Sequence, residues 1–208
     1  MDDISKFVGA VTREVRTMTY EGKPAKVVVA SRTYDTDIAD LWDALSNAER
    51  LPRWFAPVSG ELRLGGRYQV QGNAGGTITR CEPPRELAMT WEFGGGVSWV
   101  EVSLREAGEQ THLELRHIAH PEQHWETYGP GAVGVGWELG LMGLARHFES
   151  GEAKPREADE EWGASDEAKR FMRLTAEAWR DAAIASGDDQ STAAESAERT
   201  RKFYSGES

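Results

Sequence analysis

The sequence predicts an α+β protein in which an antiparallel sheet is covered by one long apolar helix and followed by further helices. Three observations carry this reading. Apolar and polar residues alternate at period two through most of residues 58–118, Gly-rich turns separate the alternating runs, and helical spacing takes over from Gly131. Strands joined by such short turns are antiparallel, because a parallel pair needs a crossover of about a dozen residues or more.

Residues 11–34 contain two extended runs, VTREVRTMTY and KVVVASRTY, separated by Glu21-Gly22-Lys23-Pro24, which predicts a hairpin. In YDTDIADLWDALSNAERLPRWFAP, the oxygens of Asp35, Thr36 and Asp37 can cap a helix whose apolar stripe is Ile38, Leu41, Trp42 and Leu45. A tighter turn through Ala48 and Leu51 then leads to Trp54-Phe55. Val58, Leu62 and Leu64 alternate with polar residues, and Gly65-Gly66 is expected to turn tightly into the strand of Tyr68 and Val70. Gly75-Gly76 is expected to turn into TITRCE. In the next three strands, Leu87, Met89, Trp91 and Phe93 share one phase, as do Val100, Val102 and Leu104, and Leu113, Leu115 and His117.

Residues 119–130 read as a loop. Beyond it, Val133, Trp137, Leu141, Leu144 and Phe148 form a helical stripe that Val135, Leu139 and Met142 widen, so this helix must be covered. Its glycines, Gly134, Gly136, Gly140 and Gly143, lower helix propensity and are expected to admit close neighbours; a dimer face is the alternative. The acid-rich stretch from Gly151 reads as a solvated linker. After it, Phe171, Leu174, Ala178 and Ala182, with Trp179 alongside, predict an amphipathic helix ending near Gly187, and residues 190–204 a further one. Phe171 and Trp179 must dock on their own chain or on a partner. The expected organisation is an N-terminal extension forming an added strand (1–25), a central domain (26–150), and an acidic linker with a helical strap (151–208).

Composition narrows the function classes. With 208 residues, 39% hydrophobic residues and eight tryptophans, the chain can bury a core. A net charge of -11 opposes a nucleic-acid partner, and no basic stripe overrides it. No apolar stretch reaches the roughly 20 residues of a membrane span, and no signal-peptide layout opens the chain, so no membrane partner and a cytoplasmic location are expected. Cys81, a single cysteine, reads as a small buried hydrophobe.

Four blocks, IADLWDALSNAERLPRWFAP, ELRLGGRYQV, GTITRCEPPRELAMTWEF and GWELGLMGLARHFESGE, resemble the heat-shock protein 90 ATPase activator-like family. That family lies within the START, polyketide cyclase and birch pollen allergen-like superfamily, and the resemblance covers roughly residues 26–150. It implies the helix-grip fold: a curved antiparallel sheet wrapped around a long C-terminal helix, with a short helical pair and, here, the added strap. It also implies a hydrophobic cavity for a small hydrophobic or amphipathic ligand. Phasing assigns Tyr68, Met89, Trp91, Leu115 and His117 to the sheet's concave face and Trp137, Leu141 and Leu144 to the helix, with Trp54 and Phe55 at the mouth.

His117 is the weak catalytic candidate: burial would lower its pKa and leave a neutral donor and acceptor. His112 has the opposite strand parity, and His120 and His124 lie in the loop, so no metal site is expected, and no cofactor motif appears. A non-enzymatic binding protein is therefore the first reading. A cyclase- or hydrolase-type enzyme using His117 is the alternative, as is an interaction module in which the strap docks a partner or makes a homodimer. A chaperone partner is implied by the family's name alone, because no chaperone-contacting residue can be placed on this sequence.

Overall fold

The computed structural model describes residues 3–151 and 161–207. Helix α1 (Asp3–Gly9) precedes β1 (Thr12–Tyr20) and β2 (Lys23–Tyr34); α2 (Ile38–Ser46) and a 3-10 turn (Leu51–Arg53) follow. Next come β3 (Val58–Gly60), β4 (Arg67–Val70), β5 (Gly75–Glu82), β6 (Glu86–Phe93), β7 (Gly96–Ala107) and β8 (Gln110–Ala119). The helices with described bounds that follow are α3 (Gln123–Tyr128), α4 (Gly131–Ser150), α5 (Asp166–Ala185) and α6 (Gln190–Ser205). The eight strands form one sheet in the order β1-β2-β8-β7-β6-β5-β4-β3. No described helix is long and apolar enough to cross a membrane.

The chain divides into two compact units, with β2 and α4 each running from one into the other. The first gathers the described residues of Met1–Ala30, His120–Leu139 and Pro155–Ser208; the second holds Ser31–Ala119 and Gly140–Lys154. The acidic linker expected after Gly151 falls mostly outside the described residues.

In the first unit, the N-terminal extension supplies a helix as well as a strand. Ile4, Phe7 and Val8 recur at helical spacing and are buried, and α1 and β1 both pack on α5. Seven residues carry too little periodic signal to be read as a helix without that packing. The hairpin turn falls on Glu21-Gly22, both at positive φ (47° and 76°), so Lys23 and Pro24 already belong to β2. The expected loop contains α3, another short helix settled by its contacts: Thr200 and Arg199 of α6 hydrogen-bond to the carbonyls of Tyr128 and Thr127.

Both strap helices are present, capped by Ser165 and Asp189. The buried stripe of α5 is turned relative to the expected one: Ala168, Phe171, Met172, Thr175, Ala176, Trp179 and Ala183 are buried, whereas Leu174 and Ala178 are half-buried. The large rings decide the face, because burying Phe171 and Trp179 removes more apolar area from water than burying Leu174 and two alanines. Trp179 packs against Gly134 of α4, where an added Cβ would meet its indole at 2.3 Å. Arg13 of β1 forms a two-pronged ion pair with Glu138 of α4, at 2.6 Å through Nε and 2.5 Å through Nη2, and also donates to the carbonyls of Val8 and Val11.

In the second unit, α2 begins where its sequence says, with Asp37 accepting from the Asp40 amide at 2.9 Å. The Gly65-Gly66 turn is a correction. Val58↔Val70 and Gly60↔Tyr68 pair, so β3 stops at Gly60 and residues 61–66 form a wider loop stitched to β5, with Gly65 N–H donating to Ile78 and Ile78 N–H to Gly66. Gly75 and Gly76 likewise lie inside β5, and the turn before it contains Gly72 (φ 71°). An added Cβ on Gly76 would stand 2.0 Å from the Thr90 carbonyl oxygen, so glycine here serves close strand approach.

Helix α4 shows the same close approach in this unit. A Cβ on Gly143 would lie 2.3 Å from the carbonyl oxygen of Trp54. Replacing Gly143 by alanine is expected to destabilise the protein by about 1–3 kcal/mol, even though alanine raises helix propensity by up to about 1 kcal/mol. The opposing atom is backbone and cannot rotate away. Urea denaturation checks this, and a midpoint equal to or above wild type would refute it.

Candidate functional site

Strand register decides which side chains share a face. Tyr68 stands opposite Gly76, Ile78 opposite Met89, Leu87 opposite Val102, Trp91 opposite Ser98, and Val100 opposite His117. All of these therefore project from one side of the sheet, and Leu115, opposite Val102, joins them. His112 projects from the other side, where its Nδ1 lies 3.2 Å from Thr33 Oγ1.

Tyr68, Val70 and Ile78 form a buried cluster, and Phe55, Leu87, Met89, Trp91 and Cys81 pack against it half-buried. Cys81 is thus less enclosed than expected. Phe55 reaches the cluster because α4 offers a bare backbone at Gly140, where an added Cβ would sit 3.6 Å from its ring. The Tyr68 hydroxyl donates to the Thr90 carbonyl at 2.7 Å, and burial raises its pKa far above the ordinary phenol value. Trp91 stands between two ring partners, 6.4 Å from Tyr68 and 6.5 Å, edge on, from His117.

His117 is 4% exposed, and desolvation lowers its pKa to about 4, so it is neutral at pH 7. Its Nε2 lies 2.9 Å from Ser98 Oγ, and that hydroxyl donates to the Trp91 carbonyl at 3.2 Å. A hydroxyl has one hydrogen. The Nε2–H tautomer donates to Ser98, and the Nδ1–H tautomer instead shares that hydrogen between Nε2 and the Trp91 carbonyl.

The structure thus packs Phe55, Tyr68, Met89 and Trp91 together and sets His117 against Trp91, with Leu115 on the same side of the sheet. Trp54 is placed differently from the expected mouth: it is 7% exposed, with Nε1–H donating to the Ala44 carbonyl at 3.0 Å. Its large ring is better satisfied as the wedge between α2 and α4 than at a rim. Leu141 and Leu144 are buried in the same unit, where the Leu141 carbonyl accepts from Tyr34. Trp137, half-buried on α4, belongs to the first unit. Ser98 was missed. Its signal was a polar residue in the apolar phase of β7, two positions before Val100.

Among the described residues, no group of three or more His, Cys, Asp or Glu side chains could hold a metal ion. His120 Nδ1 lies 2.9 Å from the Pro24 carbonyl oxygen.

An eight-stranded antiparallel sheet, a short helical pair and a long helix are the elements of the helix-grip fold, and the chain is a helix-grip protein with added C-terminal helices. It belongs to the family described as Activator of Hsp90 ATPase homolog 1-like protein, whose profile matches residues 35–149, more than half of the chain. The crystal structure of CalU16 from Micromonospora echinospora is similar to it, with 32% identity and a TM-score of 0.67 over 86% of this chain and 99% of that one. The solution NMR structure of CalU16 gives 35% identity and a TM-score of 0.69 over 86% and 97%. EF2215 from Enterococcus faecalis, a conserved protein of unknown function, is 17% identical with a TM-score of 0.62 over 89% and 96%, which is a likeness of fold alone. No curated protein matches the chain.

Proposed function

We propose that the chain is a non-enzymatic binding protein that takes a small hydrophobic or amphipathic molecule against the sheet face of Tyr68, Met89, Trp91, Leu115 and His117. The supporting observation is an asymmetry across neighbouring strands. Val100, Leu104 and Leu113 on β7 and β8 are covered, whereas Leu87, Met89 and Trp91 on β6 are only half-buried and Phe93 is 63% exposed. A folded chain that leaves a continuous strip of large apolar side chains partly open has an apolar surface available to a ligand.

The enzymatic alternative needs a base at His117. The hydroxyl beside it, Ser98, divides its contacts between the imidazole at 2.9 Å and the Trp91 carbonyl at 3.2 Å. The interaction-module alternative drew on Phe171 and Trp179, and both are 1% exposed in the folded chain.

Trp91→Ala tests the binding reading. The variant is expected to lose at least about tenfold in affinity for a co-purified apolar ligand, the scale of one buried aromatic contact. Native mass spectrometry of freshly purified wild type, compared with the denatured chain, supplies that ligand and reports any homodimer. An unchanged affinity in Trp91→Ala would sink the assignment of this face.

A further inference from the structure

Within the binding face just proposed, and resting on that reading, we infer that Ser98 is a specificity-determining hydrogen-bond acceptor that selects uncharged ligands carrying a hydroxyl or N–H donor. The argument begins with a count of bonds. A serine oxygen offers one donor and two acceptor positions. At Ser98 the hydrogen goes to the Trp91 carbonyl, and the imidazole either takes one acceptor position or shares that hydrogen, which leaves at least one acceptor position in either tautomer. Ser98 is half-buried and stands directly opposite Trp91 in the β6–β7 register, on the same side of the sheet. A ring lying on Trp91 would carry a substituent past this oxygen. His117, buried at 4% exposure, holds the hydroxyl in place through its Nε2 at 2.9 Å. Desolvation keeps that imidazole neutral at pH 7, so it adds no charge to the face.

The second half of the argument is the distribution of charge. On β4 to β8, the ion pairs Arg67–Glu92, Arg80–Glu86 and Arg116–Glu101 join residues whose parity is opposite to that of Tyr68, Trp91 and His117. Glu106 shares the apolar parity, facing Thr111 in register, but it lies eight residues beyond Ser98 along β7, is exposed and pairs with Arg85 at 3.8 Å. No cation of these strands therefore faces Trp91 and Ser98, and an anionic head group brought there would lose hydration without gaining a counter-charge from β4 to β8. A neutral donor would lose water and regain one hydrogen bond. The chemical class is a planar apolar molecule with a hydroxyl or N–H, as opposed to a carboxylate or sulfonate amphiphile.

A matched set of naphthalenes separates these possibilities: 2-naphthol has the donor, 2-methoxynaphthalene lacks it, and naphthalene-2-sulfonate is charged. Each is titrated into the full-length protein, with affinity read from 1H–15N spectra that follow the Trp91 indole and the His117 ring. In wild type, 2-naphthol is expected to bind about fivefold or more tighter than the ether, the range of one hydrogen bond, and about tenfold or more tighter than the sulfonate. Ser98→Ala is expected to bring 2-naphthol down to the ether's affinity while changing the ether less than about twofold. Equal affinity for naphthol and ether in wild type overturns the inference without any variant, as does a sulfonate that binds as tightly as naphthol. A preference that survives in a folded Ser98→Ala protein overturns it too. If none of the three shifts Trp91, the binding reading itself fails, which is distinguishable from failure of the donor selectivity.

Discussion

Replacing Glu138 by alanine is expected to cost about 3–5 kcal/mol of stability, because it strips a buried guanidinium of its counter-charge. The side chains of Glu138 and Arg13 are 1% and 9% exposed. Burial raises the Glu138 carboxyl pKa, and the Arg13 fork draws it back. Arg13 also bridges the carbonyls of Val8 and Val11, where α1 runs into β1, so the pair links the N-terminal segment to α4. Removing both charges by Arg13→Met with Glu138→Leu should restore most of the loss, since a buried pair contributes little against a well-packed apolar replacement. Urea denaturation of the three variants measures this. A Glu138→Ala protein within about 1 kcal/mol of wild type would show that water reaches the guanidinium.

The second large effect is a pH dependence owed to His117. Its folded pKa is about 4, while an unfolded histidine titrates near 6.5. Between these values the unfolded chain binds the extra proton, so stability rises with pH through this window. The contribution is fully present above about pH 6.5, is lost as pH falls towards 4, and amounts to roughly 3 kcal/mol over the interval. From pH 7 to pH 5, where most carboxylates remain ionised, the loss from this group is about 2 kcal/mol. His117→Gln keeps a side-chain donor for Ser98 and removes the titration. Its stability should therefore change less than that of wild type by about that amount over the same range. Parallel pH slopes for the two proteins would mean that the imidazole is solvated and that the face around Trp91 is wetter than its packing indicates.

The resemblance to the activator-like family was legible in local blocks because those blocks encode local physics. Asp37 caps α2 as its position before Ile38 requires, and His117 falls with Leu113 and Leu115 because strand parity alone assigns faces. The glycines of α4 read correctly as close-approach positions, with Trp179 and the Trp54 backbone as the neighbours they admit. The wide loop at residues 61–66 was not legible. Gly65-Gly66 is a competent hairpin turn, and the bonds from Gly65 and Gly66 to Ile78 that overrule it come from β5, which local sequence does not report.

What the sequence determined by itself is therefore the set of quantities with a short repeat: the strands, the faces of their side chains, the caps, and the three long helices. Tertiary structure decided the rest. Short helices such as α1 and α3 have too few turns to be stable without neighbours, so their existence depends on α5 and α6. The face that α5 buries was set by Phe171 and Trp179 finding partners, and the place of Trp54 by the gap between α2 and α4. Arg13 and Glu138 lie 125 residues apart, and Ser98 and His117 lie 19 apart on adjacent strands. Neither spacing leaves a periodic signal, because such pairs are selected by the energetic demand that a buried polar group find a partner wherever the folded chain brings one within reach.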